Sequence, residues 1–186
     1  MTSPPTPVTS VELSKGQIFE CRCLGKCTAL KDDVPYMNFR DAVSLTKRKQ
    51  SRAWQPDSPS TDFGRGLLFM VKGVIDHMLS INKSKRQYKL FLYVAIDTPL
   101  DRHHGVDAFV ELWDCQLRHG FITTLDLSLN PAKVSKAEFV VYDQDATVAE
   151  DVGREGKYRE PTELATRIAH QLWAYWFQFL LLLPRR

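Results

Sequence analysis

Cysteine is scarce in this chain of 186 residues, with four residues at positions 21, 23, 27 and 115. So few cysteines, so unevenly spaced, cannot frame a small secreted fold held by disulfides, and they favour a reducing compartment. The opening residues MTSPPTPVTS contain neither a basic nor an apolar segment, which predicts a disordered, solvated tail over residues 1–16 in place of a signal peptide. We therefore expect an intracellular protein, cytoplasmic or nuclear.

The sequence has no apolar run long enough to cross a bilayer. The longest one, LWAYWFQFLLLL, covers twelve residues from Leu172 to Leu183, whereas a span needs about 20. A helix that is apolar on every side is typical of a buried core element or a self-association surface. We expect the helix to be part of the core, and it could also bind a second copy of the chain, as a homo-oligomer, or another protein. A membrane-surface anchor with Arg185 and Arg186 at the headgroups is the alternative.

Several motifs of common enzyme classes are missing. There is no Gly-rich phosphate loop, no Gly-x-Ser-x-Gly elbow and no His-Glu-x-x-His helix, which leaves the P-loop, α/β-hydrolase and zincin classes unsupported. Cys21, Cys23 and Cys27 could wrap a structural zinc ion around Gly25. The spacing is not Cys-x-x-Cys and no fourth ligand is local, so strand cysteines pointing to alternate faces are the favoured interpretation.

Charge is weak in total but unevenly distributed. The formal net charge is only +3, and the segment from Arg40 to Lys89 holds eleven basic residues against four acids. From Phe91 to Glu160 thirteen acids face seven basic residues. A basic half beside an acidic half suits an enzyme that holds a phosphate backbone with cations and a metal ion with carboxylates. Ordinary charge segregation on a soluble surface is the alternative.

The apolar periodicity predicts an α+β (α/β) fold: a central mixed sheet of about four strands flanked by helices, in the core order αβββαβ. The predicted elements are a helix capped at Thr61 or Asp62, strands over 88–96, 106–113, 121–129 and 138–142, and a helix from Thr162 onward. The predicted organisation is a tail over 1–16, an accessory segment and linker over 17–61, and the core domain over 62–186.

Two carboxylates fall on the predicted hairpin of the second and third strands. If residues 116–119 form the turn, Asp107 pairs with Ser128 and Phe109 pairs with Asp126. Asp107 and Asp126 then share one face, whereas a turn of odd length would reverse the faces. Converging acidic oxygens are costly unless they are hydrogen-bonded or bound to a metal, and hard oxygen ligands suit Mg²⁺ or Mn²⁺. The pattern therefore predicts a metal site.

The element order, the stretch Gly105-Val106-Asp107 and the stretch Asp126-Leu127-Ser128 resemble the PD-(D/E)xK (restriction-endonuclease-like, RecB-like) nuclease superfamily. The resemblance implies a metal-dependent nuclease in which Asp107 and Asp126 bind the catalytic Mg²⁺ or Mn²⁺, with DNA as the first-choice substrate and RNA as the second. The family's lysine belongs two residues after the second acid, where this chain has Ser128. The cation that offsets transition-state charge must then be relocated, or activity is lost.

Lys133 is the predicted replacement for that lysine, and Lys136 is the second choice. Lys133 lies five residues beyond Ser128, so the chain must turn back at Pro131 for the lysine to reach the acids. The RecB-like members add a helical Gln-x-x-x-Tyr, which Gln171 and Tyr175 match in spacing. A packing role for Tyr175 is the favoured interpretation.

Three functions remain open at this stage: a nuclease, a catalytically inactive nuclease-fold subunit that binds nucleic acid or assembles with other proteins, and an interaction module acting through its C-terminal helix. The residues predicted to bind nucleic acid share positive charge and are Lys47, Arg48, Lys49, Arg52, Lys83, Lys85 and Arg86. His103 and His104, beside Asp101, could serve a metal or a water, although solvated loop histidines are the favoured interpretation.

Overall fold

The computed structural model describes residues 13–26, 35–156 and 161–183. Within these ranges the helices are α1 (Lys15–Leu24), α2 (Phe39–Arg48), α3 (Asp62–Ile81), α4 (Pro99–His104), α5 (Asp143–Glu155) and α6 (Glu163–Leu182). The strands are β1 (Tyr88–Val94), β2 (Ala108–Asp114), β3 (His119–Leu127) and β4 (Phe139–Val141). The predicted α+β class, with a four-stranded mixed sheet flanked by helices, is confirmed.

The sheet has the strand order β1-β2-β3-β4. The first three strands form an antiparallel meander, and β4 runs parallel to β3. The element order differs from αβββαβ at two points: the short helix α4 lies between β1 and β2, and the described connection 128–138 between β3 and β4 contains no helix. Instead α5 follows β4, in a polar stretch. Its buried residues are the small Ala146, Ala149 and Val152, which give little apolar periodicity.

The predicted helix starts agree with the structure. Thr61 caps α3 by accepting a hydrogen bond from the Gly64 amide, and Thr162 caps α6 by accepting one from the Ala165 amide. Each hydroxyl satisfies a first-turn donor that has no partner inside the helix.

The main core lies between one face of the sheet and helices α3, α5 and α6. The contact of α3 with α5 depends on two glycines. A Cβ added at Gly66 would lie 1.7 Å from the carbonyl oxygen of Ala149, and one at Gly153 would lie 1.8 Å from that of Asp62. The absence of side chains at these positions lets the two helix backbones touch.

The segment 17–61 contributes to the core and is not peripheral. Phe19 and Leu24 of α1 are buried in the main core. On the opposite face of the sheet, Val43 of α2 packs with Leu100 and Phe109 in a second, smaller cluster. The predicted tail 1–16 is partly ordered, since α1 begins at Lys15; residues 1–12 lie outside the described part of the chain.

The predicted linker lies along the outer edge of β1. The side-chain amide of Gln50 donates to the Val94 carbonyl at 2.9 Å and its oxygen accepts from the Val94 amide at 3.0 Å. The indole N–H of Trp54 donates to the Leu92 carbonyl at 2.8 Å, and the Leu92 amide donates to the Pro56 carbonyl at 2.8 Å. This segment therefore satisfies the edge strand's backbone.

The C-terminal helix α6 is only partly buried. Trp176 is buried and Trp173 and Leu180 pack against the core, but Phe177 is 48% exposed, so the expectation of a buried core helix is correct for only part of α6. Near the helix end, successive residues point to all sides while the core lies on one side only. In the described ranges no helix combines the length and the hydropathy that a membrane crossing requires. Association with a partner through α6 stays a prediction.

Candidate functional site

The hairpin brings Asp107 and Asp126 together. Ala108 pairs with Leu125, so extending the register by one residue sets Asp107 opposite Asp126. The predicted pairing was two residues off, because the turn spans 115–118 and Asp114 pairs with His119. A shift of two keeps every side chain on its face. The two acids therefore share a face, as predicted, and lie closer than the predicted register would place them.

The two carboxyl groups are almost fully buried and hydrogen-bonded to each other. Asp107 is 7% exposed and Asp126 is 2% exposed. Oδ2 of Asp107 also accepts a hydrogen bond from the Leu127 amide at 2.7 Å. Burial, with the neighbouring Asp126 charge, raises the pKa of Asp107 to about 8. A hydrogen bond between two carboxyl groups needs a proton on one of them, which agrees with the raised pKa of Asp107.

Lys133 reaches this pair. Its Nζ lies 2.7 Å from Oδ1 of Asp126, although the lysine belongs to the connection after β3. The connection turns back as the sequence required: the Asn130 amide donates to Oγ of Ser128 at 3.1 Å, and the Lys133 amide donates to the Asn130 carbonyl at 3.1 Å. Burial opposes the charge on Lys133, but Asp126 outweighs it and the pKa of the lysine is raised.

Lys136, the second-choice cation, does not take this position. It is exposed and forms no ion pair with any carboxylate of the described residues.

Two further acids flank the pair. Asp101 of α4 lies close enough for its charge to raise the pKa of Asp107, and Glu20 of α1 acts in the same way on Asp101 and raises the pKa of Lys133. Burial is the main cause of the raised pKa of Asp101 itself. The sequence analysis did not include Glu20, because it lies far from the hairpin in the sequence and no motif surrounds it.

The donor set can be tested against a metal ion. No group of three or more His, Cys, Asp or Glu side chains within residues 13–26, 35–156 and 161–183 is arranged to hold a metal. What the site offers is two touching carboxylates on a face with Lys133. Mg²⁺ keeps several waters and is commonly bound through one or two carboxylates plus substrate phosphates. Two adjacent carboxylates beside Lys133 are a donor set that fits such an ion.

The predicted histidine and Gln-x-x-x-Tyr residues do not join this site. A ring N–H of His103 donates to the Pro35 carbonyl at 3.2 Å, and one of His104 donates to the Met37 carbonyl at 2.9 Å, so both tie down the segment before α2. The hydroxyl of Tyr175 donates to Glu138, which precedes β4 and is bonded to Thr124 of β3, in the packing role favoured from the sequence.

The cysteine cluster is only partly described. Cys21 is disulfide-bonded, Cys23 is a buried free thiol and Cys27 lies outside the described residues. Burial raises the pKa of Cys23 to about 12, which disfavours the thiolate that zinc needs. Both described cysteines belong to helix α1 rather than to a strand.

The basic residues predicted to bind nucleic acid fall in two separate segments of the chain. Lys47, Arg48, Lys49 and Arg52 lie at and just after the end of α2, whereas Lys83, Lys85 and Arg86 precede β1. Arg86 is engaged beneath α6, 2.9 Å from the buried Asp114. Arg86 is therefore taken up by the core side of the sheet, whereas α2 packs on Phe109, on the face that carries Asp107.

No family model, no curated protein and no solved structure matches this chain. The resemblance to the nuclease superfamily remains a prediction, and functional inference rests on the geometry of the site.

Proposed function

We propose that this protein is a metal-dependent nuclease, which hydrolyses phosphodiester bonds of DNA or RNA at the site of Asp107, Asp126 and Lys133. The observation that carries the proposal is the 2.7 Å contact between Lys133 and Asp126, with Asp107 bonded to Asp126 on the same face. Two carboxylates and one cation are what a phosphoryl-transfer site requires when the usual strand lysine is replaced by Ser128.

Each residue has a defined task in this proposal. Asp107 and Asp126 would hold Mg²⁺ or Mn²⁺, which when bound polarises the phosphate and lowers the pKa of a coordinated water. The Leu127 amide fixes the orientation of the Asp107 carboxylate through its 2.7 Å hydrogen bond. Lys133 has a side chain that is 43% exposed, so its ammonium group can contact a phosphate oxygen while staying beside Asp126.

The test is nicking of supercoiled plasmid with Mg²⁺ or Mn²⁺, with EDTA as the blank. Asp107→Asn and Asp126→Asn should abolish cleavage, and Lys133→Ala should lower the rate about a hundredfold or more, as loss of one preorganised donor does. Lys136→Ala is the matched control, since that lysine is three residues away and forms no ion pair in the described structure. Cleavage that survives Asp107→Asn would refute the assignment.

A second candidate function is a nucleic-acid-binding subunit without catalysis. Two observations favour it: Ser128 stands at the lysine position, and Asp126 is only 2% exposed, so Lys133 covers the acids from solvent. Purified protein that shows salt-dependent binding of DNA but no cleavage with either metal would establish this function in place of the first.

A further inference from the structure

An open groove lies on the sheet face that α2 leaves uncovered. It encloses about 510 Å³, and it combines aromatic rings with cations. We call it the aromatic groove, and its lining residues used here are Lys47, Lys89, Phe91, Glu111, Trp113 and Arg118.

The strand register explains why rings are exposed here. Alternate residues of β1 face the groove while the intervening ones enter the main core. Lys89 pairs with Trp113, and Phe91 pairs with Glu111. On its other side Trp113 pairs with Gly120, which has no side chain to cover the indole. Phe91 and Trp113 are therefore half-buried rings that keep part of their surface in solvent.

The accessible charge of the groove is positive. Among the described residues that line it, Glu111 is the one acid; it is 3% exposed, ion-paired with Lys47 and hydrogen-bonded to the Tyr93 hydroxyl. Lys89 and Arg118 are exposed at the rim, and neither forms an ion pair with a described carboxylate. The groove thus presents two rings and unneutralised cations to a ligand.

We infer that the aromatic groove binds single-stranded nucleic acid, with bases against Phe91 and Trp113 and phosphates against Lys89 and Arg118. Cations that track a backbone beside rings that stack on bases are how single strands are held without sequence preference. A duplex cannot use such rings, because its bases are paired and their faces are hidden in the stack. As a statement about substrate this inference rests on the proposed function, but the binding itself needs no metal and no catalysis.

The experiment is fluorescence anisotropy in EDTA with a labelled oligothymidylate and with a duplex of equal length. The length is about 16 nucleotides, the upper limit of what one single-strand-binding domain covers. We expect the single strand to bind more tightly than the duplex. Trp113→Ala and Phe91→Ala should each weaken single-strand binding about 5- to 100-fold. Lys89→Ala should lower the slope of log affinity against log salt by about 0.7. The affinity for an oligouridylate of the same length, compared with that for oligothymidylate, shows whether the groove prefers RNA or DNA.

Matched controls separate binding from folding. Phe177→Ala removes an aromatic ring that is 48% exposed on α6, on the other side of the sheet, and should leave the affinity unchanged. Trp113→Phe keeps a stacking surface and should retain binding within about threefold. Equal affinity for single strand and duplex, or wild-type affinity in a folded Trp113→Ala protein, would overturn the inference.

The two proposals fail in different ways. If the groove binds single strands but Mg²⁺ gives no cleavage, the nuclease proposal falls and the groove stands. The opposite result is also possible: plasmid nicking depends on Asp107, but the Trp113→Ala and Phe91→Ala variants bind and cleave single strands like the wild type. The groove inference is then refuted and the nuclease proposal stands.

Discussion

Lys133 and Asp126 form an ion pair in which the two partners have very different surroundings. The carboxylate side chain is 3% exposed and the lysine side chain 43% exposed, at a separation of 2.7 Å. The lysine therefore neutralises a nearly buried charge from the solvent side. Such an arrangement keeps one end of the pair available to a ligand.

Lys133→Ala should lower the free energy of unfolding by about 1 kcal/mol. This is the upper end of the range measured for exposed ion pairs, and the loss is no larger because water screens the charge of the lysine. Asp126→Asn in the same background should recover much of that loss, since no buried charge is then left without a partner. Urea denaturation of the two single variants and the double variant measures the coupling. Strictly additive losses would contradict a direct interaction.

Asp114→Ala should be far more destabilising, by about 3 to 5 kcal/mol, as for the loss of one partner of a buried pair. Its fully buried carboxylate accepts from the Trp176 indole at 2.7 Å and from Arg86 at 2.9 Å, as well as from two backbone amides of the hairpin turn. Thermal unfolding checks this. Asp151→Ala, which breaks only an exposed 3.6 Å pair with Arg154, is the control and should cost about 1 kcal/mol or less.

Asp114 also predicts a pH dependence of stability. Burial alone would raise its pKa, but hydrogen bonds from Leu117, Trp176 and Gln116, with Arg86, outweigh it and lower the pKa. A carboxyl whose folded-state pKa is depressed contributes fully above its unfolded pKa of about 3.9 and loses that contribution as pH falls through the folded value. The stability difference between wild type and Asp114→Ala should therefore shrink below about pH 4. A constant difference down to acid unfolding would contradict this.

Gly66→Ala should disrupt the packing of α3 on α5. The new methyl group would lie 1.7 Å from a backbone oxygen, so a helix has to move, at a cost of about 3 kcal/mol. Gly16→Ala is the matched change in a helix: its Cβ would meet nothing closer than 3.9 Å, and it should stabilise the protein by up to about 1 kcal/mol. Denaturant midpoints of the two variants should therefore move in opposite directions.

Much of the central sheet could be predicted, because β2 and β3 alternate between inward and outward residues, β1 is a continuous apolar run, and α3 has an apolar stripe. The register of the hairpin could not, because a slip of two residues leaves every side chain on the same face. Helix α1 was missed since its buried residues, Phe19, Cys23 and Leu24, are few and follow no long period. Helix α5 was missed because the residues that it buries are mainly alanines, which give a weak apolar pattern in the sequence.

The site was predictable where chemistry and strand pattern coincide. Asp107 and Asp126 follow from alternation along the two hairpin strands, and Lys133 from the nuclease resemblance, which calls for a cation near the second acid where this chain has Ser128. Glu20 could not be found in this way, because only tertiary packing brings α1 to this site. The contact of Arg86 with Asp114 shows the converse: a basic residue in a basic segment can be taken up by the core.

The bonds along β1 give the segment 50–56 a protective role. An outer strand with bare backbone groups recruits strands from other molecules. Here the carboxamide of Gln50, the indole of Trp54 and the carbonyl of Pro56 occupy backbone groups of Val94 and Leu92. A stretch with the composition of a linker thus covers the outer edge of the sheet, and a protease cut between Gln50 and Pro56 would leave those backbone groups of β1 open to strands of other molecules.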